Sequence, residues 1–369
     1  MPAAPSGDPS AQPPAALRLP AFYCPIPRAV HPGADEADAH TIAWLDRFGL
    51  FSDQTQRDRM ATTHCGRLAA LMAPFCPSSD LLKVYADFCT WAFAFDDDFC
   101  DEGPLRFHPA EQADAFGRMH RAIEIPEYPL DQADNYAMAL RDIRVRIDAH
   151  ASPVQGDRFA EWMRNYFMIE LRKSGNSARG IRPNLSDYAV HRLYGGGGMV
   201  FPHMPAAFEN IDLPAATRAR RDIHALTEMA ATVVTWDTDF FAFVKERERT
   251  NDGNNLIEVV AAEYDLPVDD ALSTAMAMRD RVMCLYLRLG DAVRAKADPP
   301  LHRYSTLLDH YVRGSLEWDH EAARYPRYLR SDGTLPVTLT GWTDHPGSDD
   351  PTPLPIRSIS WWWHHDPLG

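Results

Sequence analysis

The stretch Phe95-Asp96-Asp97-Asp98-Phe99-Cys100-Asp101-Glu102 sets five acids within seven residues, directly after the apolar run Tyr85–Phe95. On an α-helix Asp97 and Asp101, four apart, share a face, and Asp98, three before Asp101, joins them. Like charges at that spacing repel, so the cluster calls for a cation. Hard divalent ions such as Mg²⁺ take oxygen ligands of this kind. A solvated acidic helix end is the bland alternative, and Trp91, Phe93 and Phe95 just before the acids argue against it. Two registers remain open: Asp96-Asp97 acting with Asp101-Glu102, or Asp97-Asp98 acting with Asp101.

A second acidic stretch runs from Trp236 to Glu246, where Thr238, Ala242 and Glu246 recur every four residues and line one helical stripe beside Lys245. Two oxygen ligands and one cation suit a second metal and an anion, although acids on a long helix are common. Between the two stretches, Tyr194-Gly195-Gly196-Gly197-Gly198-Met199 puts four glycines where a helix should continue. Each costs about 1 kcal/mol against Ala in a helix, so the run marks a kink or break. A phosphate-cradling loop is excluded, because neither GxGxxG nor GxxxxGK[ST] is present.

The cluster DDDFCDE resembles the aspartate-rich Mg²⁺ motif of the class I terpene synthases. In that family a second metal motif, (N/D)Dxx(S/T)xx(K/R)E, lies on a long helix downstream, and Thr238 to Glu246 falls on it in register. A diphosphate-sensing arginine usually stands 46 positions before that motif, and Arg192 stands 46 positions before Thr238. The last core helix commonly ends in an Arg-Tyr pair, here Arg324-Tyr325. The resemblance spans residues 40–325. It implies an all-α, single-domain bundle of the class I terpenoid synthase type around a central cavity.

The resemblance also implies an activity: ionisation of a linear prenyl diphosphate, farnesyl diphosphate first among chain lengths, with up to three Mg²⁺ ions. Metal ligands would be Asp96, Asp97, Asp101, Thr238 and Glu246. Arg192, Lys245, Arg324 and Tyr325 would bind the diphosphate. Gly196 would be the small effector residue whose carbonyl points into the cavity at a broken helix. The linker before it, often acidic in the family, is Gly195 here. The carbocation needs a dry aromatic wall, with Phe93, Phe95, Phe201, Trp236 and Trp318 as candidates and Phe95 and Trp236 the expected substrate contacts.

The match departs from the pattern at two ligands. The family's Asn and Ser are Thr238 and Ala242 here, and an alanine cannot ligate. One metal would be held weakly, through water, or by Asp239 after a register shift. The alternatives are a catalytically degenerate or non-catalytic relative, and a trans-prenyltransferase-like enzyme. The latter would normally show two DDxxD-type motifs, and this chain shows one. Tyr23-Cys24-Pro25 after a Pro-rich leader is weakly similar to the branch that makes methylated C11 products.

The elements that must position these residues are helical. Apolar residues recur at three- and four-residue spacing over 37–50, 56–73 and 79–99, with Pro74, Pro77 and Ser78-Ser79-Asp80 as a stop and an N-cap. Further helices are expected at 109–124, 130–150, 156–174, 184–194, 213–247, 254–264, 268–296 and 300–323. Residues 1–20 read as a disordered Pro/Ala-rich leader, 21–325 as the catalytic domain, and 326–369 as a Pro- and Trp-rich strap. Trp361 to His365 leave three roles open: a lid, a homodimer contact, or cover for an apolar patch.

Composition bounds the rest. The chain has 369 residues, 45% of them hydrophobic, with 37 Lys and Arg against 52 Asp and Glu and a net charge of −15. So acidic a surface disfavours nucleic acid and anionic lipid. Six cysteines without CxxC or zinc spacing read as reduced thiols of a cytoplasmic protein. No apolar window is long enough to span a membrane.

Overall fold

The computed structural model describes residues 16–127, 134–250, 252–325 and 337–368. Fourteen α-helices follow one another among them: α1 Ala34–Phe48, α2 Gln54–Ala61, α3 Cys65–Met72, α4 Ser79–Phe95, α5 Pro109–Glu124, α6 Asn135–Asp148, α7 Pro153–Ala178, α8 Leu185–Tyr194, α9 His203–Phe208, α10 Ala215–Arg218, α11 Arg221–Arg249, α12 Leu256–Tyr264, α13 Val268–Arg294 and α14 Pro299–Glu321. The all-α expectation holds. None of these helices is long and apolar enough to cross a membrane, and all six cysteines are buried free thiols.

Local sequence explains most of the boundaries. Ser78 caps α4 by accepting from Leu81 N at 3.3 Å, and Ser152 with Gln155 forms a capping box ahead of Pro153 at the start of α7. The periodic run 56–73 is instead two helices. His64 takes φ 57° between them, and the Asp38 carboxylate of α1 caps α3 from outside, accepting from Gly66 N at 2.6 Å and Arg67 N at 3.1 Å. A Cβ at residue 66 would lie 2.1 Å from Asp38 N, so glycine lets α1 and α3 touch.

The bundle's interior is the face shared by α3, α4, α7, α8, α11 and α14, each of which sends side chains into one cavity. Four short strands tie the chain's two ends together. Leu17–Leu19 (β1) runs parallel to Val337–Leu339 (β3), and Phe22–Tyr23 (β2) parallel to Trp342–Thr343 (β4). Residues 17–19 therefore belong to the folded body, not to the leader that composition alone suggested; residues 1–15 lie outside the described part, as do 326–336 of the strap and 130–133 of one expected helix. The rest of the strap lies across the helices. Trp362 is fully buried, and its indole N–H donates to Glu228 of α11 at 2.7 Å.

Candidate active site

The α4 helix does not end at Phe95. It continues as a π-helix through Asp96–Asp101, in which Asp97 O accepts from Glu102 N at 3.0 Å and Gly103 N at 2.9 Å. A π turn holds about one residue more than an α turn. Residues five apart, Asp96 and Asp101, are therefore brought to one face, and both line the cavity. This replaces the four-residue pairing of Asp97 with Asp101 expected for an ordinary helix. Asp97 is instead buried behind that face, held by Arg324 through Nη1 at 3.1 Å and Nη2 at 2.7 Å. Asp98 turns away to the Tyr136 hydroxyl and to Gln56 Nε2 at 2.5 Å, so Asp96 and Asp101 are the members of the cluster that line the cavity.

The opposite bank is the middle of α11. Thr238 and Glu246 line the cavity, as their spacing implied. The Thr238 hydroxyl donates back to Val234 O at 3.1 Å, and Glu246 accepts from Asn255 Nδ2 at 2.8 Å. Ala242, between them on the same stripe, is buried and has no side-chain oxygen to offer. Asp239 does not replace it. Its carboxylate accepts from Leu256 N at 2.7 Å and from Tyr188, and pairs with Arg192 at 2.8 Å, so it orients its neighbours and does not face the cavity.

Between the banks stand the cations. Arg192 donates to Thr235 O at 2.6 Å, while its buried Nε has no partner: a donor aimed at an absent acceptor. Lys245 lies 3.6 Å from Asp97 and 3.7 Å from Glu102. Arg324 also lies over the Phe93 ring at 4.5 Å and donates to the Tyr325 hydroxyl at 3.3 Å; Tyr325 reaches the cavity wall. The glycine run breaks the chain after α8 as expected. Gly196 adopts φ 61°, lines the cavity, and donates its N–H to Glu170 Oε1 at 3.2 Å.

Of the expected aromatic wall, Phe93, Phe201 and Trp318 line the cavity, joined by Tyr166 and Tyr311. Phe95 and Trp236 do not. Each lies two residues from a cavity-facing neighbour (Phe93, Thr238), about 200° round the helix. Phe95 stacks on Trp91 and Phe99 instead, and Trp236 is fully buried in the core.

Several cavity residues escaped the motifs. Tyr166, Glu170 and Lys173 form an i, i+4, i+7 stripe on α7, and Thr250, Asp252 and Asn254 follow α11. Lys173 Nζ donates to Asp101 Oδ1 at 2.5 Å and lies 4.0 Å from Asp252 Oδ2. A polar stripe on an otherwise ordinary helix was the available signal, but nothing in its spacing named a chemistry.

The electrostatics show how unbalanced the site is. Burial, then the Asp101 charge, push Asp96 well above the usual carboxylate range, and Asp96 has no cation nearer than Arg324 at 4.0 Å. Burial, then Asp101 again, raise Glu246 to about 7. Asp97 goes the other way: burial opposes its charge, but Arg324 and Lys245 overcome it and lower its pKa. Acids that are reluctant to ionise in a shared cavity mark a place for added positive charge. Among the described residues no three His, Cys, Asp or Glu are already gathered as a metal cage. The oxygen donors Asp96, Asp101 and Glu246 fit a hard divalent ion.

The model of the family described as "Terpene synthase family 2, C-terminal metal binding" matches residues 87–283, more than half of the chain. The chain belongs to the terpene synthases. It is 35% identical to the (+)-(1(10)E,4E,6S,7R)-germacradien-6-ol synthase of Streptomyces pratensis, over 94% of this chain and 97% of that one. It is 30% identical to the (+)-T-muurolol synthase of Streptomyces clavuligerus, described as (2E,6E)-farnesyl diphosphate cyclizing, over 93% and 81%. The crystal structure of the ancestral-reconstruction protein SVS_A2 superposes with a TM-score of 0.83 at 32% identity, covering 94% of this chain and 98% of that one. The enzyme is accordingly a class I terpene cyclase, a lyase that uses divalent metal.

Proposed function

We propose that this terpene synthase ionises farnesyl diphosphate with Mg²⁺ and cyclises or quenches the resulting cation, releasing diphosphate. The observation that carries the reading is the cavity's mixed lining of charged and aromatic side chains. The same wall carries Asp96, Asp101, Lys173, Arg192 and Glu246 together with Phe93, Phe201, Tyr311, Trp318, Leu68 and Met72, with Gly196 also on it. The similarity to a farnesyl diphosphate-cyclizing synthase supports the chain length.

Asp96, Asp101 and Glu246 would hold Mg²⁺, with the Thr238 hydroxyl close by and Asp97 behind them as the partner of Arg324. When bound, the metal neutralises the leaving diphosphate. The protein's own donors do the rest. The Arg192 Nε has no other acceptor, and with Lys173, Lys245, Arg324 and the Tyr325 hydroxyl it binds diphosphate oxygens through charge-assisted hydrogen bonds. The donors stand in place before reaction, so they stabilise developing charge without reorganising. Gly196, in a turn that helical bonding no longer spans, offers its carbonyl to the developing cation. Phe93, Phe201 and Trp318 present ring faces and exclude water. Buried thiols throughout the chain support a reducing, cytoplasmic setting.

A degenerate, non-catalytic protein is the second reading, favoured by Ala242 alone. The unpartnered Arg192 Nε weighs against it. The deciding experiment incubates the protein with Mg²⁺ and, separately, C10, C15 and C20 prenyl diphosphates, followed by gas chromatography–mass spectrometry. The expected result is a cyclic terpene from the C15 substrate. No product from any of the three, in protein shown to be folded, overturns the reading; the methylated C10 diphosphate would then be tried.

A further inference from the structure

The second bank is short of ligands in a definite way. Thr238 donates its hydroxyl proton to Val234 O, Ala242 offers only a methyl group, and Glu246 alone keeps a full carboxylate there. A hard dication wants several oxygen ligands at once, and Mg²⁺ wants them in near-octahedral order. Asn254 and Asp252 line the same wall, but Asp252 Oδ1 already accepts from Asn254 N at 2.9 Å. Compared with a full Asn-Ser-Glu set, this bank is poorly equipped to hold an ion.

An independent observation sits opposite. Lys173 projects from α7 into the same cavity, 2.5 Å from Asp101 on the first bank and 4.0 Å from Asp252 just after α11, with only 13% of its side chain exposed. Burial on its own would discharge a lysine. Here the Asp101 carboxylate, with Asp252 farther off, pairs the ammonium directly. Beside it, Glu170 Oε2 is buried with no partner. Five carboxylates line the cavity, Asp96, Asp101, Glu170, Glu246 and Asp252, against two cationic side chains, Lys173 and Arg192. A compact charge with three donors, anchored by a covalent stem, does part of what an ion does there: it neutralises the acids and presents donors to an anion. Unlike an ion, it needs no ligand geometry from Thr238 or Ala242.

We propose that the Lys173 ammonium takes the place of one divalent ion between the acidic banks, so that this enzyme binds diphosphate with two metal ions and one lysine. The inference rests on the prenyl diphosphate reading above and deepens it. The ligand missing at Ala242, with Asn replaced by Thr238, is then matched by a resident cation, and the site remains competent.

The test counts ions. The full-length protein is titrated with Mn²⁺ in the presence of saturating inorganic diphosphate, and bound metal is followed by electron paramagnetic resonance. Two ions per chain are expected. Three ions, with Lys173 unchanged, overturn the proposal and leave the functional reading intact. No diphosphate-dependent uptake removes the diphosphate site and overturns both. A second measurement compares inorganic diphosphate affinity at fixed Mg²⁺ by calorimetry. Lys173→Met is expected to weaken it about tenfold or more, the loss of one charge-assisted contact; unchanged affinity in the folded variant overturns the proposal. The count on the unaltered chain stands even where the variant does not fold.

Discussion

Residues 96–101 and residues 238–246 face each other across one cavity and carry the same kind of oxygen chemistry, yet their neighbours treat them differently. In the first bank two of the acids have cations assigned to them: Asp97 pairs with Arg324 and Asp101 with Lys173. In the second, Glu246 is held only by the neutral amide of Asn255, and Thr238 is turned back on its own helix. The first bank is built on a π-helix that brings Asp96 and Asp101 to one face. The second lies on a regular α-helix whose four-residue stripe includes one residue that cannot bind anything. Positioning in the first bank comes from backbone geometry, and the deficit in the second comes from side-chain identity. Ionisation in this enzyme is therefore expected to depend on the first bank far more than on the second.

The largest effect expected is that of metal removal. A chelator should abolish diphosphate release from farnesyl diphosphate while leaving the helical circular dichroism unchanged, because Arg324, Lys173 and Arg192 already pair the acids without metal. Diphosphate release that survives chelation would mean the resident cations suffice, and would erase the distinction between the banks.

Next comes Asp96→Asn. Asp96 faces the cavity, and its nearest cation among the described residues is Arg324 at 4.0 Å, so its charge is available to a metal. Removing it should slow turnover on the order of 10²- to 10³-fold, as for one preorganised electrostatic group. The matching change across the cavity, Thr238→Val, should cost less than about fivefold, since its hydroxyl contributes one neutral bond to Val234 O. Steady-state assays of both variants at saturating Mg²⁺ check the ratio. Equal losses would break the asymmetry.

How much of this was legible in the sequence depends on what kind of feature was being read. Motif spacing located Arg192, Glu246, Arg324 and the aspartate cluster, because each sits at a fixed offset on a long helix. The π-helix was not legible: nothing in DDDFCDE distinguishes it from an α turn, so Asp97 was expected to share a face with Asp101, where the structure pairs Asp96 with Asp101. Phe95 and Trp236 were misplaced for a related reason. Proximity in sequence to a motif was read as proximity in space, although two residues along a helix lead to its opposite side. Lys173 and Glu170 belong to no motif. Their importance arises only when α7 packs beside α4 and α8, a tertiary fact that a helix's own periodicity does not contain. The break at His64 is of the same type, since its cap comes from Asp38 on another helix.

The smallest effect is the most discriminating. Ala242→Ser restores the family's hydroxyl at the position where the second bank departs from the pattern. If a missing ligand oxygen were all that weakened that bank, the half-saturating Mg²⁺ concentration should fall about tenfold. The structure leads to a different expectation. Ala242 is buried at 1% exposure, and a serine in mid-helix tends to bond the carbonyl four residues back, here that of Thr238. With Lys173 already holding positive charge between the banks, the added hydroxyl has neither a free direction nor an electrostatic need to meet. The half-saturating Mg²⁺ concentration should therefore shift by less than about twofold, the size of a marginal neutral hydrogen bond. Combining Ala242→Ser with Thr238→Asn and Lys173→Met removes the competing charge as well as the missing ligands. In that background a steeper Mg²⁺ dependence than in the unaltered enzyme is expected, because metal alone must then fill the space between the acids.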